Sequence, residues 1–166
     1  MGGVKRIAFM AVLTSAALII FIVEAQIPPI VPVPGVKLGL ANIITLVAMY
    51  LLSRREAGLV LLMRILLGAL FAGSPSTLLF SAFGGLLAYA VMCALKGPVP
   101  ESRIWMISIV SAVTHNIGQI VICMLVVKTP GILVYLPVLV ISGIITGAFT
   151  GVAAMYLVKA IRKIKL

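Results

Sequence analysis

Apolar residues in this chain run in long blocks, broken by short clusters of proline, glycine and charge. The blocks cover 7–27, 38–52, 57–73, 77–95, 104–127 and 134–158. A helix needs about 20 apolar residues to cross a bilayer, and about 17 to 25 is usual. The pattern predicts six membrane helices in a single domain over 1–166. The second and third are short. They are either spans covered by their neighbours or a tight helical hairpin around Ser53-Arg54-Arg55-Glu56. Joining 38–73 into one broken span would leave Arg54 and Arg55 in lipid.

The breaks differ in character. Segment 28–37, PPIVPVPGVK, holds four prolines. Proline has no N–H and a fixed φ, so this is a stiff extended stretch and a candidate lid or wall. AGSPST at 72–77 carries no charge, and KGPVPESR at 96–103 is an ordinary polar turn.

Composition turns these blocks into a membrane reading. Apolar residues make up 63% of 166 positions, mean hydropathy is +1.33, and the only acids are Glu24, Glu56 and Glu101. Soluble domains run at about 45–50% apolar, so lipid is the expected solvent for most of the outer surface. The net charge of +10 calls for no nucleic acid, because the basic residues flank the apolar blocks. With the N-terminus inside, the inner ends hold Lys5, Arg6, Arg54, Arg55, Lys96, Arg103, Lys159, Arg162, Lys163 and Lys165. The outer loops hold Lys37 and Lys128. That asymmetry predicts both termini in the cytoplasm. The basic start at Lys5 and Arg6 mimics a signal peptide, but the block after it is too long and lacks a small-residue cleavage pattern. Cys93 and Cys123 both lie inside apolar blocks and read as small buried hydrophobes rather than a disulfide.

Glycines at spacing four, Gly143, Gly147 and Gly151, give the last block a small face on which a neighbouring backbone can approach closely. Gly68 with Ala72, Ser81 with Gly85, and Gly84 with Ala88 offer similar faces. So do Ala8, Ala11 and Ser15 in the first block. Such faces serve either packing within the bundle or a partner membrane protein, and Ala8, Ala11 and Ser15 are the candidate partner-docking set.

The polar residues inside the blocks are few. SAVTHNIGQIVICMLVV, 111–127, holds the only histidine, His115, about 16 Å along its helix and so near mid-membrane, with Asn116 and Gln119 beside it. Asn42 and Thr45 sit near the outer start of the second block, and Glu24 near the outer end of the first. Arg64 lies about 10 Å into the third block. A charge there is costly and should face the bundle interior or a partner. It either binds an anionic group, caps helix-end carbonyls or snorkels to the surface. A lone histidine is too few ligands for a metal. One acid near the bilayer edge is too few for a proton relay. No nucleophile–base pair or phosphate loop is visible, so neither an enzyme nor a cofactor is expected. The remaining reading is a small-molecule site, with Asn42, His115, Asn116, Gln119 and Arg64 as candidate substrate-binding residues.

PGVKLGLANIITLVAMYLL (34–52), LMRILLGALFAGSPS (62–76) and THNIGQ (114–119) resemble membrane proteins described as heptaprenyl diphosphate synthase component I, of the Gx transporter superfamily. That superfamily includes the substrate-binding S-components of energy-coupling factor transporters. The resemblance covers nearly the whole chain. It implies an all-α, six-helix integral membrane bundle like an S-component, in a bacterial or archaeal cytoplasmic membrane. It also implies a vitamin- or precursor-like ligand held under the first loop, and partners in a transmembrane coupling protein and cytoplasmic ATPases. S-components meet the coupling protein through an Ala-x-x-x-Ala face; here the match is Ala11-x-x-x-Ser15. The chain contains no aspartate, so an Asp-rich prenyl-diphosphate motif is missing and no synthase activity is expected. The alternative is a membrane accessory protein in prenyl or quinone metabolism or in flavin-linked electron transfer; a solitary facilitator is a further one.

Overall fold

A computed structural model describes residues 2–27, 37–72 and 75–163. The described residues are all helix and turn. Six α-helices follow in order: α1 Gly3–Glu24, α2 Asn42–Leu51, α3 Arg54–Ala72, α4 Pro75–Leu95, α5 Ile104–Val127 and α6 Leu136–Lys163. Short 3₁₀ turns, Glu101–Arg103 and Pro130–Tyr135, lead into α5 and α6. Stretches within α1, α4, α5 and α6 are long and apolar enough to cross a membrane. The Pro-rich segment expected as a lid falls outside the described residues, apart from Lys37.

α2 is ten residues long, about 15 Å, or roughly half the hydrocarbon thickness. It starts four residues later than the apolar block suggests. Gly39 adopts φ +78°, a conformation that L side chains resist, so residues 37–41 turn before the helix begins. So short a helix is marginal alone, because its end groups outnumber its internal hydrogen bonds. Here the carbonyls of Gly39, Leu40 and Ala41 accept from its first three N–H groups, and charges brace both ends. The Glu24 carboxylate accepts from the N–H groups of Gly39 and Leu40 just before α2. At the other end Lys96 Nζ donates to Met49 O, and Arg162 Nη2 donates to Tyr50 O at 3.1 Å. The signs match the helix dipole, acid at the start and bases at the finish. Five of its residues, Ile44 and Leu46 to Met49, are buried in one apolar cluster with Leu13, Ala17, Val60, Met92, Ile107 and Val158.

The chain breaks between α2 and α3 at Leu52–Ser53. Ser53 Oγ and Glu56 form a reciprocal cap there: Ser53 N and Oγ donate to Glu56 Oε2, and Glu56 N donates to Ser53 Oγ. This is the capping-box arrangement. Arg6 of α1 pairs with the same carboxylate, and Arg54 and Arg55 point outward. A break placed here divides residues 42–72 into two helices.

α5 lies against both α4 and α6, and glycine governs both seams. A Cβ on Gly147 would fall 2.6 Å from Ile109 Cα; one on Gly151 would fall 2.5 Å from Trp105 Cα. Real Cβ atoms do not sit so close. The three spaced glycines of α6 therefore serve packing inside the bundle, against α5. Ser108 Oγ and Thr150 Oγ1, 3.0 Å apart, share a hydrogen bond across the same seam. Gly118 of α5 meets Phe83, Gly84 and Leu87 of α4, and Gly68 of α3 meets the Phe21 ring of α1. Ala8, Ala11 and Ser15 are exposed on the outside of α1. Cys93 and Cys123 are free thiols, the second buried.

Candidate functional site

The ends of α1 and α2, the middle of α3 and the facing turns of α4 and α5 bring polar groups to one point. A small cavity there is lined by Phe21, Glu24, Lys37, Gly39, Arg64, Ser81, His115 and Gln119. Its volume is about 10 Å³, room for about one water.

Arg64 crosses the interior without snorkelling. It is 3% exposed. Nη1 donates to Ser81 Oγ of α4 at 3.1 Å, and Nη2 donates to Asn42 Oδ1 of α2 at 3.2 Å. A guanidinium presents five N–H groups in a fixed fork, and the third face, Nε, has no partner among the described residues. Asn42 Nδ2 is likewise unpartnered.

Glu24 is 4% exposed and is spent on the backbone: Oε1 accepts from Gly39 N at 2.6 Å and Oε2 from Leu40 N at 3.0 Å. It exerts a Coulombic pull on Arg64 and Lys37. It closes an ion pair with neither, since the ion pairs among the described residues are Arg6–Glu56 and Arg162–Glu101.

Lys37 completes the site. Its backbone N–H donates to Gln119 Oε1 at 3.2 Å, and its ammonium sits 3.6 Å above the centre of the Phe21 ring, a cation–π contact. The Arg64 guanidinium carbon is 5.8 Å from the same ring. Burial lowers the Lys37 pKa below the usual lysine value; Glu24 opposes that shift and the positive charge of Arg64 adds to it.

His115 and Gln119, one turn apart on α5, are each 2% exposed. Both press on Gly84 of α4, where a Cβ would fall 2.9 Å from His115 Nδ1 and from Gln119 Cγ. Gly39 is equally tight: its Cβ would meet His115 Cδ2 at 2.8 Å and Asn42 Nδ2 at 3.1 Å. Glycine at 39 and at 84 is what lets the imidazole sit between α2 and α4.

The structure thus brings together Arg64, His115 and Gln119 around the cavity, with Asn42 just behind, bonded to Arg64. Asn116 is placed elsewhere. Its Nδ2 donates to Leu139 O of α6 at 2.7 Å, and it is not among the lining residues. Adjacent positions on a helix differ by about 100°, so Asn116 faces α6 while His115 and Gln119 face the cavity. Asn116 is a tie between helices. Five lining residues lay outside the sequence-based candidate set: Phe21, Glu24, Lys37, Gly39 and Ser81. Glu24 was placed there among the polar groups near the outer end of the first block, and read as one acid too few for a relay. One available signal was the scarcity of acids: a single carboxylate close to a membrane block asks for an explanation of its own.

A family model described as heptaprenyl diphosphate synthase component I matches residues 13–157. No curated protein matches the chain, and no solved structure does.

Proposed function

Since the chain belongs to the heptaprenyl diphosphate synthase component I family, we propose that it is a membrane subunit that captures a small molecule for uptake, in the manner of an S-component, with energy supplied by partner ATPases through a coupling protein. In this reading all six helices are spans, α2 and α3 included, in the cytoplasmic membrane, and both termini face the cytoplasm. The basic residues at the block ends support that orientation. Ala8, Ala11 and Ser15 are its partner-docking face, which is uncovered in the chain. The chain itself performs no catalysis.

One observation carries the proposal. Three charged side chains, from α1, the turn before α2 and α3, line one cavity with a histidine and a glutamine of α5 inside an otherwise apolar bundle. Charges at membrane depth are expensive and mark pathways or ligand sites. The cavity holds about one water, so a vitamin-sized ligand requires its walls to part. The movable wall is 37–40, tied down by Glu24 and Gln119.

The family description favours a second reading, an accessory protein for prenyl metabolism that holds a lipid-like ligand or an enzyme partner. Purification in mild detergent separates the two. Coupling and ATPase subunits recovered with the chain, and a small polar molecule identified by mass spectrometry, support capture. A prenyltransferase or an isoprenoid recovered instead sinks it.

A further inference from the structure

The balance of charge at the site specifies the ligand. Arg64 and Lys37 bring two positive charges to the cavity, and Glu24 brings one negative charge. With His115 neutral, the lining carries one net positive charge. The Glu24 carboxylate already accepts two backbone hydrogen bonds, and it forms no ion pair with either base. Both bases instead lie against the Phe21 ring, so two like charges share one aromatic side chain. A buried unbalanced charge is costly and calls for a counter-charge. The free hydrogen-bonding capacity includes His115 Nδ1, which donates or accepts according to its tautomer, and two fixed donors. Arg64 Nε and Asn42 Nδ2, both on residues more than nine-tenths buried, are donors without acceptors among the described residues.

Resting on the capture reading above, we infer that the site takes a small molecule carrying one compact oxyanion of single negative charge, such as a carboxylate, held between Arg64 and Lys37. The oxyanion neutralises the lining and supplies acceptors to Arg64 Nε and Asn42 Nδ2. Neutral molecules leave the charge in place. Cationic ones add to it. A diphosphate overshoots, bringing two or more negative charges against one net positive, with no further base in the lining. That separates this ligand class from prenyl diphosphates.

The test uses the full chain in nanodiscs, with benzoate, benzyl alcohol, benzylamine and isopentenyl diphosphate as probes of matched small size and different charge. Thermal unfolding is followed against probe concentration at constant ionic strength. Benzoate is expected to raise the midpoint saturably, while the other three do not. Lys37→Gln, at a half-buried position, weakens benzoate about tenfold or more, the scale of losing one partner of a desolvated charge contact. Arg64→Gln abolishes the shift wherever it folds. Equal stabilisation by benzoate and benzyl alcohol, or a benzoate response untouched by Lys37→Gln, overturns the charge assignment. So does a neutral molecule found in the purified wild type by mass spectrometry while benzoate is inert; in each of these cases the capture reading survives. No retained molecule and no response to any probe overturns both.

Discussion

Glu24 and Gly39 are joined by a 2.6 Å hydrogen bond from the Gly39 N–H to the Glu24 carboxylate, across the Pro-rich segment between α1 and α2. The second carboxylate oxygen takes the next amide, Leu40 N–H. One acid thus holds residues 39–40, just before α2, beside the cavity.

Glu24→Gln is expected to lower stability by about 1–3 kcal/mol, because an amide NH₂ then faces a backbone N–H that needs an acceptor. Thermal unfolding in nanodiscs reads the loss. An unchanged midpoint would show that the carboxylate does not anchor 39–40.

Asn42→Leu removes the acceptor for Arg64 Nη2 and leaves a buried guanidinium with one fewer partner. The expected cost is about 2–4 kcal/mol, seen as a smaller folded fraction. Gln119→Leu removes only an acceptor for a backbone N–H at a partly buried position and is expected to cost about 1 kcal/mol while weakening ligand retention. The reverse order of the two losses would contradict the bonding described at Arg64.

Gly151→Ala puts a methyl 2.5 Å from Trp105 Cα, a backbone atom that cannot swing aside. Overpacking of this kind costs about 1–3 kcal/mol. Gly131, with nothing within 4 Å of its Cβ position, is the control, and Gly131→Ala should shift stability by less than about 0.5 kcal/mol. Comparable unfolding midpoints for the two variants would refute close packing of α5 on α6.

Ala11→Leu alters an exposed site on α1, about 15 Å along the helix from Phe21 of the cavity lining. It should leave unfolding within about 0.5 kcal/mol of wild type and reduce recovery of partner subunits in a pull-down. Full recovery would point the docking face elsewhere.

Binding of benzoate should weaken as pH rises. The Lys37 pKa is lowered by burial, so its ammonium discharges before an ordinary lysine does, and the site loses its net positive charge with it. Glu24, Arg64 and His115 face the same space. Affinity is expected to be full at neutral pH and to fall on the way towards the ordinary lysine value of 10.5. The Lys37→Gln variant should lack this fall. A profile equally steep in the variant would assign the titration to another group.

Much of the architecture could be read from the chain. The four long apolar blocks correspond to α1, α4, α5 and α6, and Ser53-Arg54-Arg55-Glu56 marks the break between α2 and α3 because serine followed three places later by glutamate caps a helix start. His115 and Gln119 share a face at i and i+4, so their convergence was visible too. Lys37 and Glu24 were not. Their roles depend on contacts made across the bundle, from Lys37 to Phe21 and Gln119, and from Glu24 to two amides that carry no side-chain signature. Gly39 was hidden for a similar reason, since only the backbone turn reveals why a side chain is excluded there. Asn116 shows the opposite case: it neighbours His115 in sequence, but the helix turns it towards Leu139 of α6.

The glycine seams have a mechanical result. Where main chains touch main chains along successive turns, as α6 does on α5, neither partner can slide or swivel without a backbone collision. These two helices behave as a fixed post. Any expansion that admits cargo therefore has to come from the opposite side, where α1 and the start of α2 are fastened by a few polar ties that can be released and remade.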